Sequence, residues 1–143
     1  HDPIDVQTLL TAALENDLVI GSRYIGGIRI INWPFSRLLL SYLASIYIRL
    51  VTGLPIIDVT GGFKCFTRKA LESINLDKII SSGYIFQSEL NYKVFSKGLT
   101  VKEVPIIFKE REEGVSKMGG GIIFEAFFTV LKLRVMKIFG KLN

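Results

Sequence analysis

The chain has 143 residues, 49% of them hydrophobic, with a mean hydropathy of +0.39. That is enough length for one packed domain and too much apolar character for a disordered one. Eighteen Lys and Arg against thirteen Asp and Glu leave a net charge of +5, and the single cysteine, Cys65, excludes an intramolecular disulfide and a thiolate metal cluster.

The first predicted element is a helix. Asp2 reads as its N-cap and Pro3 as its first residue, with Val6, Leu9, Leu10, Ala13 and Leu14 at helical spacing. A chain that opens on a helix cap, with no strand before it, reads as cut from something longer. Residues 17–22, DLVIGS, form a short apolar run that predicts a buried strand. Arg23 lies just past its end, where α/β sheets bind their ligands. Gly26 and Gly27 then allow a loop, and Ile28, Ile30, Ile31 and Trp33 make that loop apolar, either for packing or as a lip against lipid.

Asn32 and Pro34 mark the start of a helix predicted over 34–51 and stopped by Gly53. Arg37 and Ser41 are four apart and share a face near its beginning, where free backbone N–H groups favour an anion. Taken alone, Arg37 also reads as one half of a surface salt bridge. In residues 54–67, LPIIDVTGGFKCFT, Asp58 is an acid among apolar residues just ahead of a Gly-Gly pair, and by itself reads as a turn-former. Residues 63–67 alternate as a strand, and 68–74 predict a short helix.

Residues 83–98 predict a helix closed by Gly98, with a stripe of Ile85, Phe86, Leu90, Val94 and Phe95. Gln87 and Glu89 lie off that stripe, and Glu89 alone reads as an exposed helix acid. Residues 99–111 contain two short strands, or one broken at Pro105, ending at Arg111. A glycine-containing loop, 112–121, carries Ser116 and Lys117. The last element is an amphipathic helix over 121–140, with Glu125, Thr129, Lys132 and Lys137 on its polar face. From residue 114 to the end there are five basic residues and one acid. That balance suits an anionic membrane surface better than nucleic acid, although a solvated lysine face has the same composition. No uncharged apolar run reaches the ~18–20 residues that span a bilayer. Residues 38–48 lie between Arg37 and Arg49, and the last helix is interrupted by Lys132, Arg134 and Lys137. The chain is therefore expected on a membrane surface rather than across it.

In order, the segments HDP, DLVIGSRY, NWPFSRLLLS, DVTGGFKCF, SSGYIFQSEL and EVPIIFKER, followed by GVSKM and the apolar basic tail, resemble the polyprenol-phosphate glycosyltransferases. The resemblance is closest to the dolichol-phosphate mannosyltransferases and covers essentially the whole chain. It implies an α/β fold: the C-terminal, acceptor-side part of an A-type (GT-A) glycosyltransferase domain, a Rossmann-like mixed sheet with helices on both sides. It implies inverting transfer of mannose from GDP-mannose to a polyprenyl (dolichyl) phosphate at the cytoplasmic face of a membrane. Transfer of glucose or an aminoarabinose derivative to the same lipid is the nearest alternative, and a non-catalytic lipid-phosphate-binding fragment is another.

By the same resemblance Arg23, Arg37, Ser41 and Arg111 match positions that grip the acceptor phosphate, and Ser116 and Lys117 match a loop that closes over the substrates. Asp58 matches an aspartate near the reacting centre, grouped with Arg111 as catalytic. Gln87 and Glu89 match a motif in the core of the site, for which a supporting structural role accounts equally well. The Mg2+ or Mn2+ of the complete enzyme is expected on an Asp-x-Asp element ahead of His1, with no metal ligand inside these residues. The chain departs from the family at Gly61, often a serine, and at Lys64, often an arginine. From this resemblance, Arg23→Ala and Arg111→Ala are expected to cost activity far more than folding.

Overall fold

A computed structural model describes residues 1–110 and 120–142. Helix α1, Pro3–Ala13, begins as the sequence predicts. The Asp2 Oδ1 atom accepts the Ile4 N–H at 2.9 Å, satisfying a donor the helix cannot, and Pro3 occupies a position that needs no N–H. Strand β1, Leu18–Ser22, is buried along its whole length. Alternation divides its side chains between two faces. Leu18 and Ile20 belong to the larger core, and Val19 belongs to a smaller one with Leu9 of α1.

Two strands flank β1. β3, Lys64–Phe66, pairs with it antiparallel, placing Ile20 opposite Lys64. β4, Val101–Pro105, pairs with it in parallel from Leu18–Val101 to Ser22–Pro105. The sheet is thus mixed, in the order β3-β1-β4. Asp17 secures its near end. Its backbone carbonyl accepts the Thr67 N–H, and its carboxylate accepts both the N–H and the hydroxyl of Thr100 at 2.9 Å. A second, two-stranded ladder joins β2, Ile30–Ile31, to β5, Phe108–Lys109, in parallel. The sequence had suggested only an apolar loop at 28–33. The pairing brings that loop beside the strand leading to residue 110.

Helix α2, Phe35–Thr52, ends at Gly53, whose φ of 74° is the left-handed conformation that lets its N–H reach the Arg49 carbonyl at 2.8 Å. Its buried positions are Ser41, Ser45, Ile48 and Thr52. Phe35, Leu39, Tyr42, Leu43 and Leu50 are exposed. The helix therefore turns its more polar stripe inward. With 18 residues and a mean hydropathy of 1.2, it is long and apolar enough to cross a membrane by length and composition. The predicted helix over 34–51 is present almost as expected, and it passes the test of length and composition although the uncharged stretch between Arg37 and Arg49 is short.

Short helix α3, Arg68–Glu72, and a 3-10 turn at Leu76–Lys78 lead to α4, Gly83–Ser96. The predicted apolar stripe of α4 understates its burial, since every residue from Ser88 to Val94 is buried. Helix α5, Gly120–Ile138, supplies Val130 and Leu133 to the core. It stacks against α2 through Tyr47 and Phe127, 4.7 Å apart, with the Tyr47 hydroxyl donating to the Phe127 carbonyl at 2.9 Å. The expected polar face of α5 does not simply face solvent. Glu125 accepts from the Ser82 hydroxyl and Lys137 lies over the Tyr92 and Phe95 rings of α4. Phe124, Phe128, Val135, Ile138 and Phe139 point outward instead. The described residues form an α/β fold with a mixed sheet, α1 on one face and the other long helices on the other.

Candidate functional site

Arg23 leaves the end of β1 and meets Asp58 on a segment between α2 and β3. The guanidinium donates side-on, from Nε to Oδ2 at 2.7 Å and from Nη2 to Oδ1 at 2.6 Å. The Arg23 backbone N–H adds a third bond to Oδ2 at 2.9 Å. Nη2 also donates to the Thr60 hydroxyl at 2.9 Å. Asp58 is fully buried and Arg23 nearly so. Burial pulls the Arg23 guanidinium down, but the bonds and charge of Asp58 outweigh it and leave its pKa raised. Gly61 makes room for the carboxylate, because a Cβ there would lie 3.2 Å from the Asp58 Cγ.

Several groups that the sequence reading passed over hold the Asp58 segment. Glu103 on β4 accepts the backbone N–H groups of Ile57 and Asp58, both at 2.8 Å. Ser88 and Asn91 of α4 donate to the Val59 carbonyl at 3.1 and 3.0 Å. Lys64, from β3, donates to the Gln87 carbonyl at 2.9 Å and to the Asn91 Oδ1 at 2.8 Å. Its ammonium end is enclosed, and burial pulls it down to about 7 against the opposing charge of Asp58. Asp58 is therefore tied to β1, β4 and α4 together.

Trp33 connects this centre to α2. The Arg37 guanidinium carbon lies 4.1 Å from the Trp33 ring centroid and that of Arg23 lies 5.3 Å from it, distances at which a cation is attracted to a ring. Phe108 of β5 meets the same ring edge-on at 5.5 Å. Arg37 forms an ion pair through Nη1 with Glu110, and both side chains retain about a quarter of their exposure, 22% and 25%. Ser41 accepts from the Tyr24 hydroxyl at 2.9 Å, and burial raises the Tyr24 phenol despite that bond. The structure thus gathers Arg23, Asp58 and Arg37 around one aromatic cluster, with Ser41 joined to it through Tyr24, the neighbour of Arg23.

The two α4 positions separate. Gln87 approaches Gly62, next to the Asp58 segment, and lends its carbonyl to Lys64. Glu89, read from sequence as an exposed acid, is fully buried. It accepts the N–H groups of Ile80 and Ser81, bonds the Ser81 hydroxyl, and pairs with buried Lys93 at 3.3 Å. Its carboxylate is occupied in holding the approach to its own helix. Arg111, Ser116 and Lys117 lie outside the described residues. Among the described residues, no three His, Cys, Asp or Glu side chains converge as a metal site. Asp58 is committed to Arg23.

No protein-family model matches the chain. Over 131 residues, 91% of its length, it is 46% identical to a polyprenol monophosphomannose synthase of Mycolicibacterium smegmatis, of which it covers 49%. Over 132 residues, 92% of its length, it is 42% identical to an undecaprenyl-phosphate mannosyltransferase of Micrococcus luteus, of which it covers 54%. The chain spans about half the length of the curated relatives it matches. This likeness agrees with the resemblance carried by the ordered sequence motifs.

Proposed function

We propose that the chain is the acceptor side of a GT-A glycosyltransferase that moves mannose from GDP-mannose to a polyprenyl phosphate. The observation that carries this reading is its 46% and 42% identity, over nine-tenths of its length, to two proteins whose names specify mannose and a polyprenyl phosphate. In the reaction, an oxygen of the lipid phosphate attacks C1 of mannose. The bond from C1 to the diphosphate oxygen breaks, and GDP leaves with the electron pair. One displacement inverts the anomeric carbon.

The nucleophile already bears charge, so it needs little help from a base. The chain's task is to hold one phosphate beside another against their repulsion. Arg37 and the Nη1 edge of Arg23, which makes no hydrogen bond among the described residues, supply positive charge at the cluster around Trp33. In this reading Ser41 adds a hydroxyl, while Arg111, Ser116 and Lys117 complete the grip. Asp58 acts here by orienting Arg23 and takes no proton. A divalent cation, when bound elsewhere in the protein, neutralises the donor diphosphate.

The outward apolar residues of α2 and α5, with exposed Lys132 and Arg134 beside them, fit the surface of an anionic bilayer. The lipid acceptor would reach the arginines from that side, with the protein peripheral on the cytoplasmic face. The test is transfer of label from GDP-mannose to an organic-extractable product, using the protein that carries this chain, a short polyprenyl phosphate and Mg2+ or Mn2+. GDP-mannose is expected to outcompete nucleotide-activated glucose and aminoarabinose donors. Absence of any lipid-linked mannose overturns the reading.

A further inference from the structure

The two arginine–carboxylate pairs at the cluster differ in kind. Asp58 takes Arg23 side-on through two nitrogens, accepts its backbone N–H as well, and is fully buried. Glu110 takes Arg37 through Nη1 alone, on a pair that remains partly open to solvent. The Arg37 Nε atom is buried and has no hydrogen-bond partner among the described residues. A planar guanidinium offers its Nε edge to an oxyanion that can take two parallel bonds. Glu110 leaves that edge unused, so this pair is poorly complementary where the Arg23 pair is closed. The Arg37 guanidinium also rests on Trp33, a contact that does not involve Glu110.

We propose that Glu110 is an exchangeable counter-ion that occupies Arg37 until the acceptor phosphate arrives and displaces it. The inference rests on the acceptor-site reading above and adds a residue to it, one that sets acceptor affinity without touching the bound phosphate. A phosphate on Arg37 takes the Nε edge together with an Nη and discharges the unmet donor. The displaced carboxylate turns to solvent, which its partial exposure permits. Glu110 thereby weakens, by a common factor, the binding of every anion that must displace it from Arg37.

The test compares the intact protein with Glu110→Gln and Glu110→Ala. Calorimetric titration with a short-chain prenyl phosphate reads binding, and mannose transfer reads acceptor KM and kcat. A partly exposed ion pair contributes little, so removing the competitor is expected to lower Kd and acceptor KM by up to about fivefold in both variants. Thermal melting and kcat stay near wild type, and the gain shrinks in high salt. Unchanged or weaker binding in both variants, with melting intact, overturns the proposal. A Glu110→Asp variant keeps a carboxylate that reaches Arg37 less well, so its Kd should fall between those of wild type and Glu110→Gln. If prenyl phosphate binds and the variants tighten it while no mannose is transferred, the exchange stands and the enzymatic reading fails. If mannose is transferred and the variants do not tighten binding, only the exchange fails.

Discussion

Asp58 holds Arg23 at three points, two on the guanidinium and one on the backbone, and both residues are buried. Arg23 is therefore part of the fold as well as a source of charge. Arg23→Ala strands a buried carboxylate and is expected to cost about 3–5 kcal/mol in chemical denaturation, together with mannose transfer. This replaces the expectation, drawn from resemblance alone, that activity would fall far more than stability. Replacing both partners with apolar groups, Arg23→Met with Asp58→Leu, should recover part of the stability, since the backbone N–H at position 23 still loses its acceptor, and none of the transfer. An Arg23→Ala protein that unfolds at the wild-type denaturant concentration would contradict this.

Glu103 is the support beneath that pair. Glu103→Ala leaves the Ile57 and Asp58 N–H groups without their acceptor, at an expected cost of about 1–3 kcal/mol. Amide exchange should quicken at Ile57 and Asp58 first, and acceptor KM should rise with it. Glu103→Gln keeps one acceptor oxygen and should fall between. Protection at those two amides equal to wild type would remove Glu103 from this role.

Lys64 gives the fold a pH dependence of unusual sign. Its amine is drawn down to about 7 in the folded state from an ordinary value of 10.5. Between those values the unfolded chain binds a proton that the folded chain does not, so stability rises with pH across that window. Below about pH 7 both states are protonated and the cost of burying the charge is present in full. Urea unfolding at several pH values from 7 to 10 should show this rise, and Lys64→Met should flatten it. Identical slopes in the two proteins would mean that Lys64 is not the group responsible.

The outward phenylalanines of α5 and of the turn that follows it should govern attachment to bilayers. Phe124→Ser, Phe128→Ser and Phe139→Ser each remove an exposed ring, and each is expected to weaken binding to anionic vesicles roughly tenfold. Melting should be unaffected, because the core side of α5 is Val130 and Leu133. Truncating the whole helix would confound the result by emptying that core. Cosedimentation unchanged in the triple variant would rule out this surface as the attachment site.

The long elements were legible because their signals are local. Asp2 with Pro3 starts α1, Gly53 stops α2, and the apolar run 18–22 has the length and flanks of a buried strand. A second short strand after Pro105 was legible, but its pairing with β2 was not, since the two residues of β2 carry no periodicity and the partner lies far along the chain. Glu103 drew no reading from the sequence, because it is one polar residue in a short strand and nothing local shows that its oxygens reach Ile57 and Asp58. Glu89 sits off the apolar stripe of α4, yet Lys93 and the 80–81 backbone enclose it. The orientation of α2 was hidden for a related reason. Hydropathy marks a helix as apolar but does not say which stripe the rest of the protein will cover.

The partners that tie the fold together are remote in sequence: Arg23 and Asp58 at the cluster are 35 residues apart, Arg37 and Glu110 are 73 apart, and the Asp17–Thr100 clasp at the other end of β1 spans 83. Such contacts require large loops to close before they repay any of the lost chain entropy, so they are expected late in folding. A chain that has formed only its helices presents its arginines as unpaired charges on greasy surfaces. Closure of the arginine–carboxylate pairs and completion of the sheet are then one event, so the arginines acquire their fixed geometry only once the strands have paired.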